Sequence, residues 1–83
     1  MNTAAKLLQA MRNSPRDWRI EQLQTVARQF GIVVRNEGGS HYVFSHDAAT
    51  DIDIVSVPAH RPIKPVYVRQ FVALVDKGKE SQP

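Results

Sequence analysis

At Gly31 the hydrophobic period of this chain changes, and that change governs what it can fold into. Before it, Ile20, Leu23, Ala27 and Phe30 recur at helical spacing. After it, Ile32-Val33-Val34-Arg35 is short and β-branched, the composition of a strand. Gly31 stands where a helix needs a left-handed C-terminal cap. The pair Gly38-Gly39 then turns the chain into an alternating run from Ser40 to Ser45. A helix followed at once by two turn-linked strands points to an α+β fold with an antiparallel sheet.

The flanking segments extend that pattern. Thr3 can cap a first helix, about residues 3–12, in which Ala4, Leu7, Leu8 and Met11 share a face. Asn13-Ser14-Pro15 ends it, because the residue before proline is pushed out of the helical region. The second helix is expected from Trp18 or Arg19, with Asp17 near the positive end of its dipole. Period two in the run from Ser40 sends Tyr42 and Phe44 toward the helices and leaves His41, Val43 and Ser45 on the open face. After the polar stretch His46-Asp47-Ala48-Ala49-Thr50, a third strand is expected from Ile52 to Val57, ended by Pro58. The last helix starts near Pro65, carries Val68, Phe71, Val72 and Val75 inward, and is expected to stop at Gly78. Residues 79–83 then form a frayed tail. The whole chain, 1–83, reads as one domain.

Composition narrows the chemistry. Eighty-three residues are near the size at which a single core becomes marginal, with no room for a large cofactor fold. Hydrophobic residues make up 42% and charged residues 23%, a globular rather than a disordered balance. There is no cysteine, so disulfides, thiolate catalysis and cysteine-based zinc sites are excluded. No apolar run approaches membrane-spanning length and no secretory core opens the chain, so a cytoplasmic protein with no membrane partner is expected. The net charge of +3 is unevenly spread. Lys6, Arg12, Arg16, Arg19 and Arg28 crowd the first third, and Arg61, Lys64, Arg69, Lys77 and Lys79 the last. Glu37, Asp47, Asp51 and Asp53 make the middle acidic. Basic ends around an acidic centre suit nucleic acid, although many solvated surfaces share the pattern.

The chemistry-bearing motif is Gly38-Gly39-Ser40-His41. Histidine is the side chain whose ordinary pKa lies near neutrality, so it can take or give a proton there. Two glycines ahead of it permit close approach of a phosphate to backbone N–H groups. The plainer reading is a hairpin turn followed by a surface histidine. His46 is a candidate phosphate contact, as are His60, Arg61 and Lys64 in a loop stiffened by Pro58, Pro62 and Pro65. Against them stands an ordinary solvated loop. His41, His46, His60, Asp47, Asp51 and Asp53 show no compact ligand spacing, so neither a metal nor another cofactor is expected. Trp18, Tyr42 and Tyr67 are not interleaved with basic residues as stacking platforms would be.

With these elements placed, residues 20–75 resemble the HicA toxin family of bacterial toxin–antitoxin modules. The resemblance rests on the helix ending in Gly31, the short strand, and Gly39-Ser40-His41 opening the next. It continues through Ser45-His46, Val55-Ser56-Val57-Pro58 and a basic loop leading into the final helix. It implies a double-stranded-RNA-binding-like αβββα sandwich, here with an additional N-terminal helix. It also implies a metal-independent endoribonuclease that cuts mRNA and is neutralised by a HicB-type antitoxin. His41 matches the first histidine of the family's Gly-Ser-His-His motif, and Tyr42 stands in place of the second. On that footing His41 is the catalytic residue, Ser40 orients it or the phosphate, and Gly38, Gly39, His46, His60, Arg61 and Lys64 contact RNA. A non-catalytic RNA-binding domain of the same fold, or a partner-binding module that has lost catalysis, are the alternatives.

Overall fold

A computed structural model describes residues 3–36, 38–46, 54–59 and 62–81. Its elements run α1 (Thr3–Asn13), α2 (Ile20–Gln29), β1 (Val33–Asn36), β2 (His41–Ser45), β3 (Val55–Pro58) and α3 (Pro65–Ser81). Two helices, a three-stranded antiparallel sheet and a C-terminal helix make an α+β fold. Among the described residues no helix is long and apolar enough to cross a membrane.

The period change at Gly31 has the anticipated backbone. Gly31 adopts φ 73°, and the Ile32 N–H donates to the Ala27 carbonyl at 2.8 Å, a Schellman closure of α2. At the other end the helix starts later than expected. Gln22 Oε1 accepts from the Arg19 N–H at 2.9 Å, half of a capping box, so Ile20 is the first helical residue. Trp18 is engaged elsewhere. It forms an isolated antiparallel bridge with Ile63, whose N–H donates to the Trp18 carbonyl at 2.8 Å. Its indole Nε1–H donates to the Ser14 carbonyl at 2.7 Å. Asp17, which was expected to serve the helix dipole, instead makes the turn before the bridge with φ 66°.

The sheet order is β1-β2-β3. Phe44 pairs with Val34 and Val55, and Tyr42 with Asn36 and Val57, so these side chains share a face. Phe44 and Val57 are fully buried there, and Phe44 meets Phe71 of α3 edge to face with centroids 5.0 Å apart. Each such fully buried side chain contributes about 1.5–3 kcal/mol. On the opposite face Arg35 and Ser56, which flank Val43, are exposed. Ser45 departs from the alternation. It was expected on the open face but is buried at the end of β2, and among the described residues its Oγ has no hydrogen-bond partner.

The N-terminal helix belongs to the same core. Ala4, Leu8 and Met11 are buried with Leu23, Val26 and Ala27 of α2 and with Val68, Phe71, Val72, Leu74 and Val75 of α3. Val26 completes the buried face of α2 beside Leu23 and Ala27. Arg12 reaches across to α3 in a forked pair with Asp76, at 2.6 and 2.9 Å. The hydrogen bonds and charge of Asp76 raise the Arg12 pKa against a small opposing desolvation. A raised cationic pKa holds Arg12 charged as pH rises, so its side of the pair is lost only when pH climbs through that raised value.

Two helix and strand boundaries need correction. α3 does not stop at Gly78 but runs on to Ser81, so part of the expected tail is helical. β3 begins at Val55 rather than Ile52; Ile54 is exposed and outside the strand, and Ile52 lies outside the described residues.

Candidate functional site

β2 begins with His41, directly after the glycine turn. Gly38 carries φ 80°, and its N–H donates to Asn36 Oδ1 at 2.9 Å, so this residue needs glycine for its backbone conformation. Gly39 has no such requirement, and neither glycine has other atoms within 4 Å of where a Cβ would sit. The Ser40 carbonyl accepts from the Ala59 N–H at 2.7 Å, which ties the base of the turn to the end of β3. Ser40 and His41 are both exposed.

His41 does not sit on a bare sheet. It lines a cavity of about 170 Å³ together with Pro58, Lys64 and Tyr67. β2 pairs His41 with Pro58, and the first turn of α3 closes the other wall. That turn hangs on Lys64, whose carbonyl accepts from the Tyr67 N–H at 3.0 Å and the Val68 N–H at 3.4 Å. Pro65 occupies the first helical position, as anticipated. Lys64 and Tyr67 are three apart across this turn, so they face the same way. The cavity therefore combines an imidazole, an ammonium and an aromatic ring, beside the positive end of a 17-residue helix.

His46 is not part of this arrangement. It leaves β2 at the far end, roughly 16 Å from His41 at 3.3 Å per residue. Its Nε2 pairs with the Leu74 carbonyl of α3, and its ring packs against Gly78. That packing attaches His46 to α3, apart from the His41 cavity. His60 and Arg61 lie outside the described residues. Of the expected RNA contacts, the structure thus gathers Lys64 with His41 and seats Gly38, Gly39 and Ser40 at the neighbouring turn.

Tyr67 is the residue that sequence reasoning passed over. The signal was its three-residue offset from Lys64 at a proline-started helix, which predicts a shared face. Its nearness to His41 is a tertiary fact. Among the described residues no three His, Asp or Glu side chains converge. Compared with protein-family models, curated proteins and solved structures, the chain has no significant match.

Proposed function

We propose that this chain is a HicA-type endoribonuclease of double-stranded-RNA-binding-like fold that cuts mRNA without a metal. The observation that carries the reading is the shared cavity of His41, Lys64 and Tyr67 beside the glycine turn. Cleavage of this kind requires the ribose 2′-oxygen to attack the neighbouring phosphorus as the P–O5′ bond breaks. The products are a 2′,3′-cyclic phosphate and a 5′-hydroxyl. His41 takes the 2′-hydroxyl proton, or supplies the proton to the leaving 5′-oxygen, and solvent handles the other transfer. Such a group contributes about 10²–10⁴-fold. Lys64 balances the charge that develops on the phosphorane oxygens. Tyr67 supplies a ring face for a base next to the scissile bond, and Ser40 hydrogen-bonds the phosphate. A HicB-type antitoxin that covers the His41 cavity, and a cytoplasmic location, belong to the same proposal.

A second reading, a non-catalytic RNA-binding domain of this fold, draws on the exposure of His41. Among the described residues no hydrogen bond orients its ring, whereas a general base is commonly held by one. RNA cleavage in EDTA by the wild-type chain and by His41→Ala, both checked for folding by circular dichroism, separates the two. Cleavage that survives chelation and disappears in the variant supports catalysis by His41. RNA binding without cleavage by the wild type selects the binding domain.

A further inference from the structure

Consecutive residues of β2 line two different cavities. His41 faces the one just described, while Tyr42 lines a larger groove of about 410 Å³ between α2 and the sheet. Ile32, Val34 and Tyr42 give the groove apolar and aromatic surface, and Gln24, Arg28 and Asn36 bring polar groups to it. Apolar surface with a few convergent polar groups is the make-up of a site for a flat, hydrogen-bonding ligand. Gln24 and Arg28 are four apart on α2 and so lie on one face of it. Neither forms a side-chain hydrogen bond or ion pair with another described residue. Asn36 Oδ1 already accepts from the Gly38 N–H, and its Nδ2–H groups add two donors. Arg28 offers only donors as well. The groove is therefore richer in donors than in acceptors, and it calls for a ligand edge rich in acceptors.

We propose that this groove binds an unpaired guanine, on the nucleotide next to the one held at His41. Guanine presents O6 and N7 as adjacent acceptors, which match the forked N–H groups of an arginine. Tyr42 supplies the stacking face through which single-stranded RNA is commonly held. Asn36 of the groove and His41 of the smaller cavity stand on either side of the glycine turn in the chain, and the turn's glycines project no side chain. A duplex keeps its base faces stacked within the helix and cannot offer one to Tyr42. The inference rests on the RNA reading above and adds to it a base preference and a single-stranded substrate.

The test is an NMR titration of the full chain with AMP, GMP, CMP, UMP and inorganic phosphate, following the Gln24 and Asn36 side-chain amides and Arg28 Nε–H. GMP is expected to shift these signals most. Arg28→Ala and Gln24→Ala, both on the helix surface, are each expected to weaken GMP binding roughly tenfold. Equal response to all four nucleotides, preference for another base, or an equal response to phosphate alone overturns the proposal. Failure of the catalytic reading shows differently, as a wild-type chain that binds GMP in the groove but does not cut RNA. Conversely, cleavage that depends on His41 but is indifferent to Arg28→Ala and Gln24→Ala retires the guanine site and keeps the ribonuclease.

Discussion

The ring of His46 occupies the space that a side chain on Gly78 would fill. A Cβ built on Gly78 overlaps the imidazole, while Nε2 of the same ring pairs with the Leu74 carbonyl one turn earlier. Gly78 is thus a close-approach glycine inside a continuing helix, and the end of β2 is fastened to α3 through it.

This contact predicts opposite signs for one substitution in two backgrounds. Alanine at a helical glycine ordinarily gains about 0.5–1 kcal/mol. In the wild type, Gly78→Ala must expel His46 or strain the packing, at about 1–3 kcal/mol, so the net effect is destabilising. With His46→Ala already present, the same change should stabilise. Urea unfolding of the four proteins in this cycle measures the coupling, and equal effects in both backgrounds would refute it.

The glycine turn makes a second, local prediction. Gly38→Ala is expected to cost about 1–2 kcal/mol, because an L-residue at φ 80° crowds its own carbonyl. Gly39→Ala is expected to be neutral or slightly stabilising, since its φ is ordinary and its surroundings are open. Thermal unfolding of the two variants distinguishes them, and equal losses would show that Gly39 is constrained as well.

Lys64 bears on RNA affinity rather than on stability. If its ammonium contacts one phosphate, Lys64→Gln should weaken binding of a single-stranded oligoribonucleotide. It should also reduce the slope of log K against log salt by about 0.7. Fluorescence anisotropy at several salt concentrations gives this slope. An unchanged slope removes Lys64 from the phosphate path.

The buried Ser45 hydroxyl predicts a gain. Leaving such a donor and acceptor without a partner costs about 1–3 kcal/mol, so Ser45→Ala should raise stability by about 1 kcal/mol. A rise in melting temperature checks this. A fall would show that the hydroxyl has a partner in solution.

Local rules carried well where the cause is itself local. The left-handed cap at Gly31, the turn at Gly38, the proline start of α3 and the apolar faces of the three helices each follow from a few neighbouring residues. The same rules erred at Gly78, because glycine at a helix end and glycine under a packed ring look identical in sequence. They placed Trp18 at the head of α2, whereas its pairing with Ile63, across 45 positions, draws it into a bridge. They drew Ser45 outward by period two, whereas it is buried at the end of β2.

By itself, the sequence determined the order of helices and strands, the antiparallel pairing and the sheet face that carries Phe44. These depend on backbone sterics and on the 3.6- and 2-residue periods, which act over one or two turns of chain. Only the tertiary structure decided that His41 shares a cavity with Lys64 and Tyr67, that His46 is fastened to α3, and that Arg28 and Gln24 meet Asn36 and Tyr42. Those neighbours are set by how helices settle on a sheet, through contacts between residues far apart in the chain that no local period records.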